Sequence, residues 1–251
     1  MIPVYINVRN RLTTTRALAE QVAALPDAVP ILVDNNSDWQ PLLDWYESCP
    51  FEVIRLSENV GHHAPWLRAI PAGADFIRRW GSSRYAVTDC DLDIAECPTD
   101  VLQVLQEPFA WSGIPTCGSG TCRRKPVVKS GLSLRINDLP PWQVSVKQWE
   151  SRWWRAPVLG GRFYIALIDT TFAMYDCRTP HQTATRVVGV PAVRSAPPYC
   201  AKHVPWYLDG NNLDAENQHY FSTANSSNSW KPVGRGLGAA YVRPVRSPRS
   251  R

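Results

Sequence analysis

The amino-acid sequence predicts an α/β protein whose mostly parallel sheet is flanked by helices. Three observations carry this expectation. Apolar, β-branched runs alternate with amphipathic helical patterns up to Thr88; each run ends in polar residues; and the fourth passes directly into Tyr85-Ala-Val-Thr-Asp-Cys-Asp-Leu-Asp93, with carboxylates at alternate positions. Strands separated by helices are joined by right-handed crossovers, which build a parallel sheet covered on both faces.

Ile2 to Val8 is apolar and β-branched and reads as the first strand. Thr13 or Thr14 then offers an N-cap to a helix with Leu18, Val22 and Leu25 on one face, stopped at Pro26. Val29 to Val33 is the second strand. Asp38 caps and Pro41 opens a second helix carrying Leu42, Leu43, Tyr46 and Cys49, and Phe51 to Leu56 makes the third strand. The third helix follows Pro65 with Leu67, Ile70, Ala74 and Ile77 to Trp80, and Pro71 inside it predicts a kink or a split. Tyr85 to Thr88 is the fourth strand.

In open sheets of this kind ligands bind in the crevice outside the carboxyl ends of the strands. Those ends supply Asn7 and Arg9, Asp34 and Asn35, Glu58 and Asn59, then Asp89 and Asp91. Alternate residues of an extended chain point the same way, so Asp89, Asp91 and Asp93 are able to present oxygens to one divalent cation; the plain alternative is a solvated strand-to-loop turn. His62 and His63 follow the Asn59-Val-Gly61 turn at the same end, and one of them is expected to face the crevice.

Pro3-Val-Tyr-Ile-Asn-Val-Arg-Asn-Arg11, Ile31-Leu-Val-Asp-Asn-Asn-Ser37, Glu58-Asn-Val-Gly61 and Thr88-Asp-Cys-Asp-Leu92 resemble, in order and spacing, the nucleotide-sugar-binding half of GT-A (Rossmann-like) glycosyltransferases, family two in particular. The resemblance covers roughly the first hundred residues. It implies a donor-binding half over 1–100 and an acceptor-side half of the same domain over 101–233; the composition after residue 233 adds a basic tail over 234–251. It places Arg9, Asp34, Asn59 and Gly61 near the nucleotide, with Asp89 toward the ribose and Asp91 on a metal that meets the diphosphate; Asn7 and His62, by their place at the strand ends, are expected to meet the donor too. Two Asp-x-Asp (DXD) windows overlap here, and the place of Asp93 stays open. The sequence departs from the family at Asn7-Val-Arg-Asn10 and Asp34-Asn-Asn-Ser37. A carboxylate such as Asp34 can accept the imino proton of uracil or pair with guanine, so UDP and GDP donors both remain open.

Farther along, Ala201-Lys-His-Val-Pro-Trp206 is similar to the late His of metal-dependent GT-A enzymes, notably family eight. That resemblance implies His203 as a second ligand to Mn2+ or Mg2+, a role neutral imidazole suits beside carboxylates, against the alternative of an ordinary core histidine. Lys202 is placed to neutralise leaving-group phosphate. An inverting transfer also needs a base for the acceptor hydroxyl. Asp169 is preferred because it interrupts the strand-like run Tyr164 to Phe172; Asp138 and Glu150 are the alternatives, and a turn carboxylate bonded to Thr170 or Thr171 is the structural one. Trp142, Trp149, Trp153 and Trp154 read as core or as sugar-stacking faces, with Trp149 and Trp153 on one helix face.

At 251 residues and 44% hydrophobic, the chain can bury a full core, and neither a membrane-length apolar run nor a signal peptide is seen, so a cytoplasmic enzyme is expected. Seven scattered cysteines fit reduced thiols; Cys117-Gly-Ser-Gly-Thr-Cys122 lacks a second close pair for zinc and reads as a flexible loop. The six cations from Lys231 to Arg251, with no acid among them, exceed the net charge of +5, so the excess is all tail. That tail offers a contact for an anionic membrane surface, and no nucleic-acid partner is expected. The expected partners are a nucleoside diphosphate sugar and a carbohydrate or other hydroxyl acceptor. Two rivals stay open: a nucleotidyltransferase, which needs a Gly-rich loop that Asn10 to Thr15 lacks, and a catalytically silent nucleotide-sugar-binding module, which donor hydrolysis would separate from an enzyme.

Overall fold

The structure is a computed structural model and describes residues 1–118, 121–169 and 171–224. The first part of the chain alternates as expected: β1 (Ile2–Val8), α1 (Leu12–Ala23), β2 (Ala28–Asp34), α2 (Gln40–Tyr46), β3 (Glu52–Arg55), α3 (Gly73–Trp80) and β4 (Arg84–Asp89). The second part has shorter elements: β5 (Leu92–Asp93), α4 (Val101–Gln106), a hairpin of β6 (Ile114–Gly118) and β7 (Thr121–Lys125), β8 (Lys129–Gly131), β9 (Ser133–Leu134), α5 (Val144–Glu150), β10 (Pro157–Val158), β11 (Phe163–Ile165), β12 (Ala173–Asp176), α6 (His181–Ala184), β13 (Ala192–Ser195), β14 (Cys200–His203) and α7 (Ala215–Thr223).

Nine strands form one sheet in the order β10-β11-β13-β8-β12-β4-β1-β2-β3, and all of them except β11 and β12 run the same way. This is the predicted α/β class, a mostly parallel sheet flanked by helices, and it continues unbroken from the first part of the chain into the second. Alternation along β1 explains why both faces need cover. Val4, Ile6 and Val8 enter one apolar cluster with Leu18 and Val22 of α1, while Tyr5 enters the other with Tyr85 and Tyr175. Burying each such aliphatic side chain contributes about 1.5–3 kcal/mol, and a one-residue slip would exchange the two sets, so the register of β1 is strongly specified.

Local details depart from the sequence expectations in informative ways. Neither Thr13 nor Thr14 caps α1: Arg11 stands at the N-cap without a side-chain cap, and Glu216 of α7 accepts from the amides of Leu12 (2.8 Å) and Thr13 (3.0 Å). Asp38 does not cap α2 either, because its carboxylate is taken by Asn10 Nδ2 (2.6 Å) and His219 Nε2 (2.9 Å). The third helix is split as Pro71 demands, into a π-helical turn at Pro65–Ala69 and α3. Trp66, Ile70 and Phe76 are among its buried residues, whereas Leu67 and Ile77 face outward. The run from Tyr164 to Phe172 is strand only to Ile165 and then crosses the sheet irregularly. Cys117 and Cys122 lie on paired backbone positions of the β6–β7 hairpin, not in a loop; their side chains are outside the described set. Cys49, Cys90, Cys97, Cys177 and Cys200 are free thiols. The basic tail lies outside the described residues. Among those described, no helix is long and apolar enough to cross a membrane.

Candidate functional site

The carboxyl ends of β1, β2 and β4 stand side by side, because Asn7 is in register with both Val33 and Asp89. Asn7 Oδ1 is buried and has no partner among the described residues. Beyond β4 the chain turns through Cys90, whose thiol sits in the core and is pushed up to about 12 by burial, so the flanking Asp89 and Asp91 stand toward the crevice. Asp91 Oδ1 is buried, makes no hydrogen bond and faces His203 Nε2 at 3.7 Å. β14 delivers His203 there by pairing antiparallel with β5, His203 against Leu92 and Lys202 against Asp93. Burial lowers the pKa of His203 in spite of Asp91, so the imidazole is held neutral with a lone pair to offer.

Asp93 is drawn away from this pair. Its Oδ1 accepts from Gln21 Nε2 (2.9 Å) and from the amide of Ala95 (2.9 Å), so it ties α1 to the turn. Lys202 does not meet a carboxylate here; its ammonium lies 4.2 Å above the ring of Tyr207.

The second strand end is occupied by structural bonds. Asp34 is fully buried, accepts from Tyr46 Oη (3.2 Å) and the amide of Ser37 (3.3 Å), and has Arg55 Nε at 3.6 Å. Arg9 donates to the Asn35 carbonyl (3.0 Å) and to that of Asn36. Asn35 in turn staples the following turn, accepting from the Val60 amide (2.9 Å) and donating to the Gly61 carbonyl (2.9 Å), while Asn59 Oδ1 accepts from the Gly61 amide (3.0 Å). Gly61 has φ +79°, which explains glycine at that position. The turn carries His62, exposed, edge-on to His63 at 4.0 Å between ring centres. Desolvation lowers the pKa of both rings, and the charge of Asp169 opposes the shift at His62.

Asp169 is exposed, and its Oδ1 receives the Thr171 amide at 3.4 Å, the turn contact that the sequence offered as its structural alternative. The two other candidate bases are committed elsewhere. Asp138 is held by Arg135 Nη2 (2.7 Å) and Tyr207 Oη (2.6 Å). Glu150 is buried against Arg194 Nη1 (3.0 Å), and burial raises its pKa. Trp149 and Trp153 do share a face, 6.0 Å apart and edge to face, with the Arg152 guanidinium over Trp149; Trp142 is exposed.

The sequence reading missed Arg11 and helix α7. Arg11 is buried and its guanidinium lies 3.8 Å over the ring of Tyr220. Burial works against its charge, yet Asp91 and Tyr220 carry its pKa above the usual value. Thus α7 rests on the loop after β1, beside Asp91. Asp214, whose Oδ1 accepts from the Asn217 amide at 2.7 Å, is the N-cap signal that marks this helix in the sequence.

Asp91 and His203 supply two converging donors, and among the described residues no group of three or more His, Cys, Asp or Glu is arranged to hold an ion. The chain matches no protein-family model and no curated protein. Among solved structures it is similar to S. aureus TarS, with a TM-score of 0.45 and 12% identity, over 90% of this chain and 44% of that one, so it spans less than half the length of TarS.

Proposed function

We propose that the chain is a GT-A glycosyltransferase that moves a sugar from a nucleoside diphosphate donor to a carbohydrate or other hydroxyl acceptor with the help of Mn2+ or Mg2+. The observation that carries this reading is the buried, unpartnered Asp91 Oδ1 facing the neutral His203 imidazole 3.7 Å away, at the strand ends where the Asp-x-Asp motif falls. A buried carboxylate oxygen without a partner is costly, and an ion shared with a ligand is a chemical reason to keep one. A carboxylate and an imidazole suit such a metal, and two protein donors fit an ion completed by diphosphate oxygens and water, not a closed structural site. The ion would neutralise charge developing on the leaving diphosphate.

The chain's own residues have separable tasks in this reading. Asn7 and Asp89 line the ribose side. Arg9, Asn35, Asn59 and Gly61 shape the nucleoside wall through the bonds that they make with one another, and Asp34 braces it through Tyr46 and Ser37. Asp169, the one exposed carboxylate of the three candidate bases that lacks an arginine partner, takes the acceptor proton across the crevice from Asp91. Thermal-shift measurements with UDP, GDP and their sugars, with and without Mn2+, test the donor half, because a ligand bound only to the folded state raises apparent stability. Metal-dependent stabilisation together with donor hydrolysis supports an enzyme; no stabilisation by any of them rejects the reading, and stabilisation without hydrolysis or transfer leaves a binding module.

A further inference from the structure

We infer that Lys129 and Arg194 are positioning residues that hold the backbone just before Asp169 and so fix the place of its carboxylate, an inference that rests on Asp169 being the acceptor-side base. After β11 the chain crosses the sheet without regular structure, and its carbonyls there have no strand partner to meet. Two buried cations from neighbouring strands meet them instead. Arg194 Nε of β13 donates to the Leu167 carbonyl at 2.8 Å, and Lys129 Nζ of β8 donates to the Ile168 carbonyl at 3.0 Å. The two residues are 4% and 1% exposed.

Burying an ammonium whose direct bond is to a neutral carbonyl is expensive, and an apolar side chain of similar length would fill the same space without that cost. The fold therefore gives up stability at Lys129, as it would for a specific geometry. Arg194 is neutralised by Glu150, so the clamp is built from a third element, α5, as well. Gly131, between these cations in sequence, completes the seat: a Cβ there would stand 2.8 Å from the Phe172 carbonyl oxygen and 2.9 Å from Ile168 Cδ1. Leu167 and Ile168 are thus gripped at both carbonyls and seated from below, and Asp169 is the next residue, projecting to solvent.

Amide hydrogen exchange of residues 166–172, followed by mass spectrometry in the wild type, Lys129→Met and Arg194→Lys, tests the clamp without any substrate. Exchange there should accelerate roughly tenfold or more while peptides from β1 and β4 stay unchanged. No local acceleration in either variant overturns the inference. Arg194→Lys keeps a cation against Glu150, so it carries the test if Lys129→Met does not fold. With UDP- or GDP-sugar and an accepting glycoside, Lys129→Met should lower kcat with the donor KM unchanged, and the double variant with Asp169→Asn should be no slower than Asp169→Asn alone. Additive losses would overturn action through Asp169. A chain that turns over no donor at all would count against the proposed function, while the exchange result would still decide the clamp.

Discussion

The two walls of the crevice are built by different means. On the β1–β2–β4 side, the candidate residues sit at ends of parallel strands or in the turns that directly follow, and their mutual bonds, such as Asn35 to Val60 and Gly61, link neighbouring crossovers. On the opposite side, Asp169 lies in irregular chain held by Lys129 and Arg194, 39 and 27 residues from the carbonyls they grip, and Arg194 is held by Glu150, 44 residues away. The first wall follows from periodicity and strand topology, so it is preorganised by the sheet. The second depends on buried charges, where the loss of one partner releases the segment. Substitutions on the first side should therefore act on donor and metal, and those on the second should act on transfer while donor binding persists.

The largest expected effect is at Asp91. Asp91→Ala should abolish Mn2+-dependent donor stabilisation and reduce transfer by about 10³-fold or more, since it removes one of the two donors that face each other. Asp93→Ala should cost much less activity, because that carboxylate serves Gln21 and Ala95. Equal, mild losses in both variants would break the assignment of the metal side.

Next comes Asp169→Asn, which preserves shape but removes basicity. Transfer should fall by roughly 10²- to 10⁴-fold with donor affinity retained in thermal-shift titrations. If donor binding weakens in proportion, the contrast between the walls fails and Asp169 belongs with the metal side.

How legible each wall was in the sequence follows from the same contrast. The strands from Ile2 to Asp89 and the polar residues at their ends were visible because apolar alternation and punctuation are local, and Pro71 announced the break in the third helix. Asp34 was legible as a strand-end carboxylate, but not as a fully buried acceptor for Tyr46, because that depends on how α2 packs. The N-caps expected at Thr13 or Thr14 and at Asp38 failed through contacts distant in sequence: α7 supplies Glu216 to one helix start, and Asn10 and His219 take the carboxylate meant for the other. Lys129 and Arg194 gave no signal, since a cation inside a short strand looks like an edge residue until the sheet order is known.

A third expected effect concerns the cost of the buried ammonium. Burial pulls the pKa of Lys129 down to about 8 although Asp169 opposes it. Between pH 8 and the ordinary lysine value the unfolded chain holds a proton that the folded chain has released, so stability contributed through this group rises with pH across that window and is lowest below it. The full shift corresponds to about 3 kcal/mol. Lys129→Met should therefore be more stable than the wild type at pH 7, with the difference shrinking toward pH 10.5, measured by urea titration. Greater global stability combined with faster local exchange at 166–172 is the signature of a group kept for positioning; lower stability at pH 7 would make Lys129 an ordinary packing residue.

The smallest expected effect tests whether α7 belongs to the first wall or merely rests on it. Glu216 places a carboxylate on the free amides of Leu12 and Thr13, where the positive end of the α1 dipole favours an anion. Glu216→Gln keeps an acceptor but removes the charge, and should cost about 0.5–1 kcal/mol, a fall in Tm of about 1–4 °C for a protein of this size. Because Tyr220, one turn further along α7, lies against Arg11 beside Asp91, loosening the helix should also weaken metal-dependent donor stabilisation, and by less than the loss of Asp91 does. A stability loss with unchanged donor binding would show that α7 only caps α1. A loss of donor binding out of proportion to stability would join Arg11 and Tyr220 to the donor wall, and extend that wall beyond the strand ends from which the sequence could predict it.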